Sequence, residues 1–121
     1  MNMNFSFDTT DNVVVFRLNN TNLDMEISAQ LKAKILIFCQ PDIEGLIFDL
    51  SQIEYVDSSG LGALLLAYRQ VKEYNIPIIL VGVKDIVKKL LELSRINDLF
   101  VYYDNIEDAI VHYKKTNEVK S

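Results

Sequence analysis

The order of apolar and polar positions divides this chain into short apolar runs and amphipathic stretches. In Val13 to Leu18, Val14, Phe16 and Leu18 fall on one face and Arg17 on the other, the period-two pattern of a strand. Phe5 to Phe7 reads as a strand before it. The cluster Asp8-Thr9-Thr10-Asp11-Asn12 between them reads as the turn of an antiparallel hairpin at one side of a sheet. After the polar loop Asn19-Asn20-Thr21-Asn22 the period changes. Ile27, Leu31, Ile35 and Phe38 recur at helical spacing, so Met25 to Cys39 is expected to be an amphipathic helix. Asp24 or a neighbour is its expected N-cap, Glu26 puts an acid in the first turn, and Pro41 helps to stop it.

Leu46-Ile47-Phe48-Asp49-Leu50 is a nearly continuous apolar run, as expected of a central parallel strand covered on both faces. Ser51 to Val56 reads as a linker anchored by Ile53 and Val56. A second helix follows, carrying Leu61, Leu64, Leu65, Tyr68 and Val71 and ending near Tyr74-Asn75. Pro77 leads into the strand Ile78-Ile79-Leu80-Val81, and Gly82 turns the chain. Lys84 to Ser94 reads as a third helix, with Ile86, Leu90 and Leu93 on one side and Val87 and Leu91 beside them. Leu99 to Tyr103 is expected to be a fifth strand. Ile106 to Tyr113 is expected to be a last helix, buried through Ile106, Ala109, Ile110 and Tyr113. A polar tail follows from about residue 115. No linker divides the chain. The expectation is one α/β domain over residues 1–121, a mixed, mostly parallel sheet of about five strands with about four helices.

Composition narrows what such a domain can do. Half of the 121 residues are hydrophobic, enough for a core. No run approaches a membrane span, and Met1-Asn2-Met3-Asn4 lacks the order of a signal peptide, so direct membrane insertion is not expected and the cytoplasm is. The net charge of −5 argues against direct nucleic-acid binding, which calls for a basic patch. The pairs Lys88-Lys89 and Lys114-Lys115 read as solvated helix faces. Cys39 reads as a packed thiol. With one cysteine and one histidine, His112, the chain offers no common zinc site and no convincing nucleophile–base pair. Neither metal, cofactor nor catalytic residue is expected.

In sheets of this kind, function gathers where strands end and helices begin. Three loops qualify, Asn19 to Asp24, Ser51 to Ser59 and Gly82 to Asp85. The second runs into Val56-Asp57-Ser58-Ser59-Gly60-Leu61-Gly62. It lacks the glycine–lysine pattern of a phosphate loop, the dinucleotide fingerprint and the first glycine of a hydrolase elbow. As structure, Asp57 or Ser58 can accept a bond from an unpaired first-turn amide. Asp57 is then expected to set the corner and orient Ser58, and Gly60 and Gly62 to let another strand or helix approach. Glycine costs about 1 kcal/mol relative to alanine inside a helix, so Gly62 calls for an offsetting contact. A serine at a helix start is also a good switch, because phosphorylation adds charge that the exposed amides and helix dipole tolerate.

The run Asp57-Ser58-Ser59-Gly60-Leu61-Gly62, preceded by Leu46 to Leu50 and followed by Ala63-Leu64-Leu65, resembles the signature of the STAS domain, and more narrowly of bacterial anti-sigma factor antagonists. Leu18 to Asp24 with the first helix is similar to the family's strand–loop–helix. Val87 to Ser94 with Ile96 and Leu99-Phe100 is similar to its third helix and last strand. The resemblance implies a non-enzymatic protein in which Ser58 is the phosphoacceptor. It implies a partner that is an anti-sigma factor and serine kinase, bound while Ser58 is unmodified and released on phosphorylation, with a PP2C-like serine phosphatase as reset. The contact surface it implies comprises Asn22, Asp24, Asp57, Ser58, Ser59, Gly60, Leu61 and Gly62. Family members also serve as adaptors or scaffolds in other phosphorelays or in transport-associated complexes, which is the alternative role. In the first loop, Asn20-Thr21-Asn22-Leu23-Asp24 departs from the family's more acidic, glycine-bearing pattern, so partner specificity is expected to differ.

Overall fold

The structure, a computed structural model, describes residues 5–10 and 12–120, with side chains described for residues 12–113. Its elements in chain order are β1 (Phe5–Thr10), β2 (Val13–Leu18), β3 (Asn22–Leu23), α1 (Met25–Phe38), β4 (Gly45–Asp49), β5 (Tyr55–Val56), α2 (Ser58–Val71), β6 (Ile78–Val81), α3 (Asp85–Leu93), β7 (Val101–Tyr103) and α4 (Ile106–Lys120). Five strands form one sheet in the order β1-β2-β4-β6-β7, and β3 and β5 form a separate two-stranded sheet. Only β1 and β2 pair antiparallel; β2, β4, β6 and β7 run parallel. This is the expected mostly parallel sheet with a hairpin at one side.

The strand alternation explains the layers. Val14, Phe16, Leu18, Leu46, Phe48, Ile78 and Leu80 face one way and form a core with Ile27, Leu31 and Ile35 of α1, Ala63, Leu64, Ala67 and Val71 of α2, and Val87 and Leu91 of α3. Phe16 and Phe48, opposite one another in the β2–β4 register, stack with ring centroids 5.3 Å apart. The other face, with Val13, Val15, Ile47, Ile79 and Val81, is covered by α4 through Ala109 and Tyr113. Tyr113 crosses a site that Gly45 leaves open, since a Cβ on Gly45 would clash with the Tyr113 ring. Its hydroxyl accepts from the Leu46 N–H and lies at 2.9 Å and 2.7 Å from the carbonyls of Leu46 and Pro77. Burial pushes this phenol well above its usual pKa. Cys39 is buried as expected, and desolvation pushes its thiol up to about 12, so it is inert at neutral pH.

Several boundaries differ from expectation. The first strand runs to Thr10, and Asn12, at φ +65°, belongs to the turn. α2 tightens into a 3₁₀ turn over Lys72–Tyr74 and ends at left-handed Asn75. Leu99 lies in a 3₁₀ turn, Asn97–Leu99, so the last strand begins only at Val101. α4 continues as helix to Lys120, where a polar tail was expected. The largest difference is in α3. Val87 and Leu91 are the buried pair, while Ile86 is 58% and Leu93 81% exposed, reversing the emphasis of the apolar pattern. With apolar residues on two faces of one helix, periodicity does not say which face packs. Lys88 is not merely solvated, since its ammonium lies 3.8 Å above the Tyr102 ring.

Tyr113→Phe keeps the ring but removes the hydroxyl that links α4 to β4 and the start of β6. Leaving buried backbone groups unpartnered is expected to cost about 1–3 kcal/mol in urea unfolding, with the folded spectrum unchanged.

Candidate functional site

The site is assembled by the two-stranded sheet. β3 and β5 pair in parallel, Asn22 opposite Tyr55 and Leu23 opposite Val56. The amides of Glu54 and Tyr55 donate to the Thr21 carbonyl, and that of Asp57 donates to the Leu23 carbonyl. Leu23, Ile53 and Val56 are fully or almost fully buried and fasten both loops to the core. Two parallel strands that each run straight into a helix bring both helix starts to one edge. The structure thus places Asn22 and Asp24 beside Asp57, Ser58, Ser59, Gly60, Leu61 and Gly62, and α1 packs along α2. The third loop also lies beside β5, where Lys84 pairs with Glu54 at 3.6 Å across an exposed surface.

Each helix has an aspartate cap. Asp24 accepts from the Ile27 amide at 3.1 Å, and Asp57 accepts from the Gly60 amide at 3.0 Å. Asp57 also accepts a short hydrogen bond from the Ser59 hydroxyl. The Ser59 bond foremost, then the Gly60 amide, with smaller contributions from the amides of Ser59 and Met25, holds the Asp57 carboxyl below the usual carboxylate range. The expectation that Asp57 orients Ser58 is therefore corrected: Asp57 orients Ser59. Ser58, the first helical residue, is exposed, and its hydroxyl has no hydrogen-bond partner among the described residues.

The two glycines also separate. A Cβ on Gly60 would come within 2.6 Å of the Leu23 carbonyl oxygen and 2.7 Å of Val56 Cγ1, so Gly60 is what allows α2 to lie against β3. A Cβ on Gly62 would meet nothing closer than Lys32 Nζ at 3.5 Å and Cε at 3.8 Å. No strand or helix backbone comes within 4 Å of that position, contrary to expectation; Gly62 is half-buried, and what borders it is the end of the Lys32 side chain from α1. Leu61 is half-buried and packs at the margin of the core.

Sequence reasoning missed two residues here. Met25 is 73% and Tyr55 51% exposed, large apolar side chains at the first turn of α1 and in β5. Tyr55 sits opposite Asn22, so it belongs to the same surface. An apolar residue next to a cap aspartate was the available signal for Met25; Tyr55 had none, because its partner strand is distant in sequence.

Among the described residues no group of acids, histidines and cysteines could hold a metal ion, and no helix is long and apolar enough to cross a membrane. A cleft of about 270 Å³ opens at the ends of β4 and β6, lined by Asp49, Asp104 and Glu107 among others. Its carboxylates repel phosphate groups, and none of the residues around Ser58 lines it.

The family model of the STAS domain matches residues 4–109. The chain belongs to the STAS domain family. A protein of Listeria monocytogenes named anti-sigma-B factor antagonist is 24% identical over 98 residues, which is 81% of this chain and 83% of that protein. The unphosphorylated form of the anti-sigma factor antagonist SpoIIAA, described as a Bacillus cell fate determinant, superposes with a TM-score of 0.80 at 25% identity, covering 92% of this chain and 96% of that one. An anti-sigma-factor antagonist (STAS) domain protein of Planctomyces limnophilus shares the fold, with a TM-score of 0.82 at 18% identity over 90% of this chain and 96% of that one.

Replacing each glycine by alanine tests the division between them. Gly60→Ala is expected to destabilise this STAS domain by about 1–3 kcal/mol through overpacking. Gly62→Ala is expected to stabilise it by up to about 1 kcal/mol through helix propensity. Chemical denaturation of both variants reads the opposite signs. A second test follows from Asp57. Its depressed folded pKa means that its contribution is present above the unfolded value of about 3.9 and lost as pH falls through the folded one. Exchange protection of the Gly60 amide is expected to hold at neutral pH and to fall in that acid range; in Asp57→Asn this acid step should be absent.

Proposed function

We propose that the protein is an anti-sigma factor antagonist. In this reading it binds an anti-sigma factor that is also a serine kinase while Ser58 is unmodified, and leaves it when Ser58 is phosphorylated. The observation that carries the reading is the contrast between neighbouring serines. Ser59 is half-buried and bonded to the cap aspartate, whereas Ser58 is exposed and its hydroxyl has no hydrogen-bond partner among the described residues. A kinase can take Ser58 without breaking any bond of the fold. The relatives support this direction. SpoIIAA has been solved in a phosphorylated form as well, and that form too superposes on this chain, with a TM-score of 0.72 at 25% identity.

The chemistry belongs to the partner. The Ser58 Oγ attacks the γ-phosphorus of kinase-bound ATP, ADP leaves, and the hydroxyl proton passes to a base of the kinase. Asp57 is no candidate for that base, because its carboxylate is engaged by Ser59 and Gly60. The product carries a charge of about −1.5 to −2 at the first turn of α2, where the helix dipole tolerates it. A partner seated over Asn22, Asp24 and Asp57 to Gly62, with Met25 and Tyr55 as apolar anchors, meets that charge and bulk directly. A PP2C-like serine phosphatase hydrolyses the ester and restores binding. In this reading the protein works in the cytoplasm, where the kinase finds ATP, as a regulator with no catalytic activity of its own.

Affinity capture from the native cell with unmodified protein, followed by mass spectrometry, is expected to recover a serine kinase that labels Ser58 in the presence of ATP. Ser58→Ala should bind the kinase and resist labelling. Ser58→Asp should lose roughly tenfold or more in affinity at unchanged circular dichroism. Labelling of Ser59 instead, or capture without any kinase, contradicts the proposal. Gly62, one turn after Ser58, adds a further expectation: Gly62→Ala, although more stable, should bind the kinase less well.

A further inference from the structure

Gly62 lies one turn after Ser58 on α2, so the two positions share a face, with Cβ positions about 5–6 Å apart. The space that a side chain at Gly62 would occupy is bordered by one group, the end of Lys32. Lys32 is on α1, and a helical side chain leans toward its own N-terminus. The leaning carries the ammonium toward the end of the molecule at which Ser58 stands. It makes no ion pair among the described residues. The nearest cap carboxylates are turned elsewhere, Asp24 to the Ile27 amide and Asp57 to Ser59 and the Gly60 amide. In a chain of net charge −5, a cation with no ion pair among the described residues borders Gly62 on the face of the exposed serine.

We infer that Lys32 is the built-in counter-ion of phosphorylated Ser58, and that the bare face of Gly62 is the floor over which the phosphate and the ammonium meet. The inference rests on Ser58 as the modified residue. The lysine stem is long and flexible, so a change of rotamer brings its ammonium to the phosphate with no movement of backbone. Two consequences follow. The paired phosphate covers Gly62 and so occupies ground the partner needs, excluding it by shape as well as by charge. Pairing also offsets the repulsion between the new dianion and the carboxylates of Asp24 and Asp57, so that the modified protein keeps its fold.

The test installs phosphoserine at position 58 of the full chain during translation, by suppression of an introduced stop codon, so no kinase is required. Phosphorus NMR then follows the second ionisation of the phosphate with pH. A nearby cation favours the dianion and lowers that pKa. The phosphate is expected to titrate roughly 0.5–1 pH unit lower in the otherwise unaltered protein and in Lys32→Arg than in Lys32→Gln. Lys34→Gln serves as the control, since the Lys34 ammonium is directed to the Phe38 ring, and should titrate like the unaltered protein. If the Lys32→Gln phosphate titrates with the unaltered one, the pairing is overturned. That result would leave Ser58 as the phosphoacceptor untouched. A kinase that labels another residue would overturn the choice of Ser58 without altering the titration.

Discussion

The candidate surface depends on how closely Gly60 lies against the carbonyl of Leu23. No side chain fits between them, since even a Cβ would stand 2.6 Å from that oxygen. The contact lets α2 start directly beside β3, and the β3–β5 pairing then holds the start of α1 in the same plane. Asp57 completes the corner from the other side, with its carboxylate on the Gly60 amide and the Ser59 hydroxyl. Asn22, Asp24 and Ser58 come from loops more than thirty positions apart in the chain. Their adjacency is a consequence of this one close approach.

Within the corner, neighbouring residues divide between those whose side chains hold the fold and those whose side chains stand at the surface. Asp57, Ser59 and Gly60 are committed to the cap and to the contact with β3. The side chains of Ser58, Met25 and Tyr55 are exposed, and those of Met25 and Tyr55 are large and apolar. Gly62 stands apart, because in a helix interior it weakens a turn while the side chain that borders it is only the flexible end of Lys32.

The core strands and the helix periods were legible in the sequence for a simple reason. Leu46 to Leu50 and Ile78 to Val81 are apolar on both faces because helices cover both faces, and Ile27, Leu31 and Ile35 mark a single buried stripe. The motif around Ser58 was legible as well, through its likeness to the STAS signature. What remained hidden depends on tertiary neighbours. β3 and β5 are two residues each, too short to show alternation, and they are recognisable only through each other. Which serine the aspartate holds is decided by side-chain geometry within one turn, and Asp57-Ser58-Ser59 reads the same either way. In α3 the apolar residues occupy two faces, and only the packing against β5 and the core selects Val87 and Leu91 over Ile86 and Leu93. Lys32 carried no signal at all, since its significance lies in a glycine of another helix.

The anchoring of these loops also bears on how a switch here can work. A phosphate can move a backbone only if it bonds differently to two arrangements of it. Leu23, Ile53 and Val56 are buried on either side of the serine, and a second arrangement of β3 or β5 would have to lift at least one of them out of the core. Burial of such a side chain is worth about 1.5–3 kcal/mol, and the β3–β5 hydrogen bonds would be lost with it. An exposed phosphate on Ser58 gains nothing by that displacement, because the amide of Gly60 is already taken by Asp57 and the Lys32 ammonium, at the Gly62 position one turn on, comes from α1. The fold therefore favours a switch written on the surface. In the proposed cycle the backbone presents the same corner before and after modification, and a partner is turned away by what has been added to it.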